Sequence, residues 1–195
     1  FSELIPADNI LSMGKLRLSY AQAGINAPAY SSRTYYTSPF MTDGYTNGFA
    51  YPYMGLSGLG YSNVMGNPSL APERVTGKEI GLDLRFFNGR LNLDVTYYDQ
   101  LTTDILVRRP IPSSSGFRYV ESKSGEMSNK GFEVMLSGSP VKTNSFQWDI
   151  RADFSKNKSE VLALAEGVDE VEISAAFTDI GSYAIVGQPY GAFYG

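Results

Sequence analysis

Six ionised side chains alternate with apolar ones in two stretches of this sequence: Asp83, Arg85 and Asp94 in EIGLDLRFFNGRLNLDVTYY, and Asp149, Arg151 and Asp153 in FQWDIRADFS. On an extended chain, residues two apart share a face, so each stretch presents carboxylates and a guanidinium to one side. Such a face can guide a polar solute through charge-assisted hydrogen bonds, or its charges can pair across strands into a structural network, which is the more frequent outcome. A second set of side chains lies between Gly24 and Thr76: Tyr30, Tyr35, Tyr36, Tyr45, Phe49, Tyr51 and Tyr53. Their rings offer rigid area with a polar tip, suited to stacking on sugar rings, to a partner interface, or simply to packing the loop on itself.

Catalysis is poorly provided for. The 195 residues include no Cys and no His, which removes thiolate nucleophiles, Cys/His zinc sites and imidazole acid-base chemistry. Net charge is −4, and the 16 Lys and Arg are scattered along the chain, so they do not supply the basic face a nucleic-acid backbone needs and no nucleic-acid partner is expected. Glu160, Glu166, Asp169, Glu170 and Glu172 offer hard oxygen ligands of the kind Ca²⁺ takes, but without EF-hand spacing. A solvated acidic loop is the simpler account, and neither metal nor cofactor is expected. GLSGLG at 55–60 lacks the Lys-Ser/Thr of a phosphate loop.

The elements that must hold these side chains are strands. Glycine (20), tyrosine (14) and phenylalanine (11) are abundant, and charged residues make up 18% against the usual quarter, a profile of strands and turns. Gly14 to Ala23 alternates with period two, placing Leu16, Leu18 and Tyr20 on one side and Lys15, Arg17 and Ser19 on the other. Asn88-Gly89 supplies the two positive-φ residues of a type I′ hairpin turn. That turn predicts Phe86 opposite Leu91, Leu84 opposite Leu93, Leu82 opposite Val95 and Ile80 opposite Tyr97 on one face. The other face receives Arg85 with Asn92, Asp83 with Asp94, and Gly81 with Thr96. A second hairpin sets Phe132, Val134 and Leu136 against Phe146, Trp148, Ile150, Ala152 and Phe154, through a turn placed roughly at Ser139 to Ser145. Connections thus alternate between short turns and long loops, Gly24 to Thr76 and roughly Thr102 to Glu126. The EVLALAE core of 160–166 fits a strand end or a helical turn.

One-faced alternation fits a soluble antiparallel sandwich as well as a membrane β-barrel. Three features favour the barrel. Ten-residue strands tilted near 40° span roughly 25 Å, the height of a lipid-facing band. Phe86, Tyr97, Tyr98, Phe146, Trp148 and Phe154 sit near strand ends, where interfacial girdles lie. The charged face suits a watery lumen. Lipid contact is therefore expected at Ile80, Leu82, Leu84, Leu93, Val95, Phe132, Val134, Leu136, Trp148 and Ile150. No apolar run approaches the roughly 18 residues of a membrane helix.

GKLRLSYAQAG, NPSLAPERVTGKEIGLDLRFFNGRLNLDVTYYDQLTTDIL, GEMSNKGFEVMLSGSPVKTNSFQWDIRADFSKNKSEV and VGQPYGAFYG resemble, in order and spacing along nearly the whole chain, the barrel of SusC/RagA-type TonB-dependent outer-membrane transporters. The resemblance implies an all-β fold, with residues 1–195 forming about a quarter of a barrel of roughly 22 strands. The plug domain and terminal barrel strand are expected to lie outside it. It further implies a non-enzymatic part of a transporter in the outer membrane of a Gram-negative bacterium. That transporter would import oligosaccharides or peptides with a SusD-like surface lipoprotein and energy from the TonB complex. The rival expectations are a non-transporting outer-membrane barrel, used as an adhesin or in secretion, and a soluble carbohydrate-binding β-sandwich.

Overall fold

A computed structural model describes residues 10–38, 40–41, 48–177 and 180–194. The strands, in chain order, are β1 (Leu11–Ile25), β2 (Tyr36–Thr37), β3 (Phe40–Met41), β4 (Phe49–Ala50), β5 (Gly60–Tyr61), β6 (Val64–Met65), β7 (Glu73–Phe86), β8 (Leu91–Pro110), β9 (Tyr119–Lys142), β10 (Gln147–Ala163), β11 (Glu170–Phe177), β12 (Ile180–Ile185) and β13 (Ala192–Tyr194). The main sheet runs β1-β7-β8-β9-β10 with every neighbour antiparallel, and β6 adds a short parallel pairing to β9. β11, β12 and β13 form a smaller antiparallel sheet.

The first hairpin adopts the register its turn predicts: Phe86↔Leu91, Leu84↔Leu93, Leu82↔Val95 and Ile80↔Tyr97. Asn88 (φ 55) and Gly89 (φ 83) take the type I′ conformation. Phe87 is also in the left-handed region (φ 53), which the sequence does not announce. Its amide donates to the Ile10 carbonyl at 2.8 Å, and the Asn88 amide donates to Ser12 Oγ at 2.7 Å. The start of β1 therefore holds the turn in place.

Two connections differ from the pattern expected. β9 continues to Lys142 and pairs it with Gln147, so the second turn is the four residues 143–146, closed by the Thr143 amide donating to the Phe146 carbonyl at 2.8 Å. A bulge near Ser139-Pro140 absorbs the break that otherwise reads as a turn. Thr102 to Glu126 is mostly strand rather than loop. After a bulge at Thr103-Asp104, β8 and β9 stay paired out to Pro110↔Tyr119, leaving the connection 111–118. One-sided alternation fades there, with Val107 and Val120 buried and Arg108 to Pro110 exposed, while the backbone ladder persists. The segment expected as a loop from Gly24 to Thr76 is bounded by the end of β1 and the start of β7, and between them the described residues form only the two-residue strands β2 to β6. Ser159 to Ala163 finishes β10, and a turn follows before β11, so no helix forms there.

The sheet does not enclose a core of its own. The chain exposes 14234 Å², whereas a compact monomer of its mass would expose about 9,100 Å². Leu18 is 70% exposed, Ile80 47% and Trp148 53%, and among the described residues the buried apolar side chains are Val107, Val120, Val161, Ala165 and Ala184. All five belong to the loop end, away from the short turns.

The apolar face has a sharp upper edge. Counting from the turn end, its unbroken apolar run ends at Tyr20 on β1, Ile80 on β7, Tyr97 on β8, Phe132 on β9 and Phe154 on β10, and the next residue on the same face is Gln22, Lys78, Asp99, Lys130 and Lys156, with Leu101 the one apolar residue to reappear directly beyond it on β8. Ile80, Tyr97 and Phe132 lie in one register row, but Tyr20 pairs with Lys78 and Phe132 pairs with Lys156. The edge thus steps by two residues twice across four strand spacings. That is about 14 Å along the strands for about 19 Å across them, a slope near 35°. Strands tilted by that angle through a flat apolar layer produce this slant, and barrel strands tilt by about 35–45°.

Candidate functional site

The polar face is assembled row by row from register. Arg17 reaches across Gly81 to Asp94, with Nη1 and Nη2 each donating to a carboxylate oxygen at 2.8 Å and Nη2 also to Thr96 Oγ1 at 3.2 Å. Asp83 and Asp94 stand opposite each other, as the hairpin predicts. The guanidinium from the third strand is what makes that pairing tolerable. Asp149 accepts from Ser139 Oγ and from Gln147 Nε2, and Arg151 forks onto Asp153 two residues along the same strand at 2.9 Å. Asp94, Asp149, Arg151 and Asp153 are thereby partnered within the wall. Asp83 and Arg85 border a shallow groove with Asn92 and Asp94.

Closer to the loops the polar-parity positions turn apolar. Val75, Thr102, Met127 and Val161 form one continuous register row. Above them lies a cavity of about 690 Å³, whose lining adds Ile105, Leu106, Val107, Tyr30, Tyr35, Ile173, Ala184 and Tyr190. Loop 26–72 closes one side. β6 adds to β9, the Arg118 amide donates to the Asn63 carbonyl at 2.9 Å, and Asn67 Nδ2 donates to the Glu121 carbonyl at 2.9 Å. Gly66 lies so close to the Arg33 backbone that a Cβ would overlap it. The small sheet closes the other side: the Val161 amide donates to the Gln188 carbonyl at 2.9 Å and the Gly187 amide to the Val161 carbonyl at 2.8 Å.

Polar groups in the cavity wall are few and placed. Glu121 is 6% exposed and pairs with Arg108 at 3.3 Å. Glu73 Oε1 accepts the Leu106 amide at 3.0 Å where the β8 bulge frees it. Arg33, Glu126 and Glu172 complete the ionisable lining. An apolar chamber with convergent charged groups is the usual form of a site for small or peptide-sized molecules.

The structure divides the seven aromatic candidates. Tyr30 and Tyr35 line the cavity with ring centroids 5.8 Å apart. Tyr36 stacks on Tyr61 at 4.4 Å and shares a 2.6 Å hydroxyl hydrogen bond with it, which holds the Tyr36 phenol above its usual range. Phe49 packs on both Tyr51 and Tyr53, so those three satisfy one another within the loop. Tyr45 lies outside the described residues. Sequence reasoning missed Val75, Met127 and Val161. The available signal was an apolar residue at a polar-parity position on three of four successive strands, β7, β9 and β10, with Thr102 between them on β8.

The chain matches the model of the TonB dependent receptor-like β-barrel over residues 5–189. It belongs to that family. Among curated relatives, TonB-dependent receptor P39 of Formosa agariphila is 32% identical over 157 residues, covering 80% of this chain and 14% of that receptor. TonB-dependent receptor SusC of Bacteroides thetaiotaomicron is 31% identical over 104 residues, covering 53% of this chain and 10% of SusC. The RagAB peptide transporter structure superposes with a TM-score of 0.72 at 27% identity, covering 94% of this chain and 19% of that one. A second RagAB structure, the peptide importer in its open-open state, gives 0.71 at 25% identity, covering 96% and 19%. The chain is thus a SusC/RagA-type TonB-dependent receptor barrel segment and spans about a seventh of the length of P39.

Proposed function

We propose that this segment is part of the wall and outer mouth of a nutrient importer in the outer membrane of a Gram-negative bacterium. The apolar face meets lipid, with Ile80, Leu82, Leu84, Leu93, Val95, Phe132, Val134, Leu136, Trp148 and Ile150 in the hydrocarbon. The polar face meets the lumen. The short turns at 87–90 and 143–146 lie on the periplasmic side, and the cavity end faces the cell exterior. The observation that carries this reading is the slanted, aromatic-edged upper limit of the apolar face, because a soluble sheet has no flat layer to impose it.

The cargo is an oligosaccharide or a peptide, taken up by a complete barrel and plug with TonB energy. The RagAB structures are of a peptide transporter, and the cavity's apolar lining with separate carboxylates and guanidiniums suits a peptide of mixed side chains. Tyr30 and Tyr35 offer ring faces to either cargo. A SusD-like lipoprotein would cover the mouth, as the likeness to SusC and to the RagAB transporter suggests.

Fractionation of the native source tests the reading. A membrane-bound chain on the order of a thousand residues, extracted only by detergent and accompanied by a lipoprotein, is the expected result. A soluble product of about the segment's own size would overturn it.

A further inference from the structure

We propose that Lys130, Lys156 and Lys158 form a seat for the phosphate of a phosphorylated acyl lipid in the outer leaflet. The proposal rests on the lipid-facing assignment above and adds a specific ligand chemistry to it. Lys130 stands directly opposite Lys158 in the register, and Lys156 is the next residue on the same face, opposite Phe132. Like charges set directly across a sheet repel, so the arrangement calls for an anion.

The chain supplies only part of that anion. Asp99 holds Lys130 at 3.1 Å and Glu160 holds Lys158 at 2.9 Å. Asp99 also stands opposite Lys78. Four lysines against two carboxylates leave two positive charges, which matches a phosphate monoester carrying about −1.5 to −2 near neutral pH. The side chains are open to a ligand, with Lys130 52% and Lys158 76% exposed.

Position selects a lipid over free phosphate. The lysines lie immediately beyond the apolar edge, where Phe132 and Phe154 pack with ring centroids 5.6 Å apart. A headgroup phosphate seated on the lysines would send its acyl chains down over those rings and onto Val134 and Leu136. The sequence KNKSE produces the seat by alternation: Asn157 goes to the lumen side and both lysines stay outside.

The test uses the full-length transporter in neutral detergent, titrated with a phosphorylated hexa-acyl diglucosamine lipid, its dephosphorylated form and inorganic phosphate. Each Lys→Gln substitution should weaken binding of the phosphorylated lipid roughly fivefold, and the triple variant about a hundredfold. The triple Lys→Arg variant should bind like the parent. The dephosphorylated lipid should bind parent and triple Gln variant alike, and inorganic phosphate should compete only at far higher concentration. Equal binding of the phosphorylated lipid by parent and triple Gln variant would overturn the proposal, and effective competition by inorganic phosphate would reduce the seat to a plain anion site. Thermal melting of each variant separates lost binding from lost fold. A parent that stays soluble without detergent would instead remove the lipid-facing assignment.

Discussion

At the scale of the residue, the ion pairs of the polar face act as struts. Arg17 and Asp94 belong to the first and third strands of a three-strand run, so their fork fixes strands that are not adjacent. A double-mutant cycle with Arg17→Gln and Asp94→Asn should show favourable coupling in detergent unfolding that shrinks as salt rises. Zero coupling at low salt would contradict a structural role. The Tyr36–Tyr61 contact makes a separate prediction. Hydrogen bonding to Tyr61 raises the Tyr36 pKa above its ordinary value of 10.0, so the contact is intact below pH 10 and is lost as pH rises through the raised value. Ultraviolet titration of Tyr61→Phe should bring Tyr36 back toward 10. At the hairpin, Gly89→Ala places a Cβ at φ 83 and should cost about 1–2 kcal/mol of stability.

At the scale of the element, each strand is a two-faced plank, and substitutions one residue apart should behave oppositely. Leu82→Arg puts a charge in the apolar face and should cost about 2–4 kcal/mol near the layer's midplane, whereas Asp83→Asn should assemble normally. Folding yield into vesicles reads the difference. Gly66→Ala should leave the strands intact and loosen loop 26–72 from β9, visible as faster proteolysis within that loop. The hairpin register was legible in the sequence because Asn88-Gly89 and strict alternation determine it together. The outer ends of β8 and β9 were not, because pairing beyond the Thr103-Asp104 bulge depends on a partner strand rather than on one-sided hydrophobicity. The second turn was misplaced for a similar reason: Ser139-Pro140 has turn composition but forms a bulge. The cavity row was hidden because Val75, Met127 and Val161 are far apart in sequence and meet only through three registers.

At the scale of the whole molecule, the chain is a wall segment with apolar area on the outside and its few buried apolar residues gathered at the loop end. That inversion explains why composition, which lacks Cys and His and has no clustered basic run, did not name a function: what the chain offers is two faces and a cavity at the loop end. Most of the polar-face charges are paired within the wall, and the loop end holds a cavity with an apolar lining and a few charged groups, where the proposed function would bring solute and wall together. The measurement that tests this account most directly is single-cysteine scanning of the full transporter in native outer membrane, made clean for this segment by its lack of cysteine. A membrane-impermeant thiol reagent should label positions 83 and 94 but spare 82, 84, 95 and 134. The edge of protection should step from 20/22 on β1 to 80/78 on β7, hold its register row through 97/99 and 132/130, and step again to 154/156 on β10. Labelling of 82 and 84 as fast as 83, or a protected zone running square across the strands, would contradict the account.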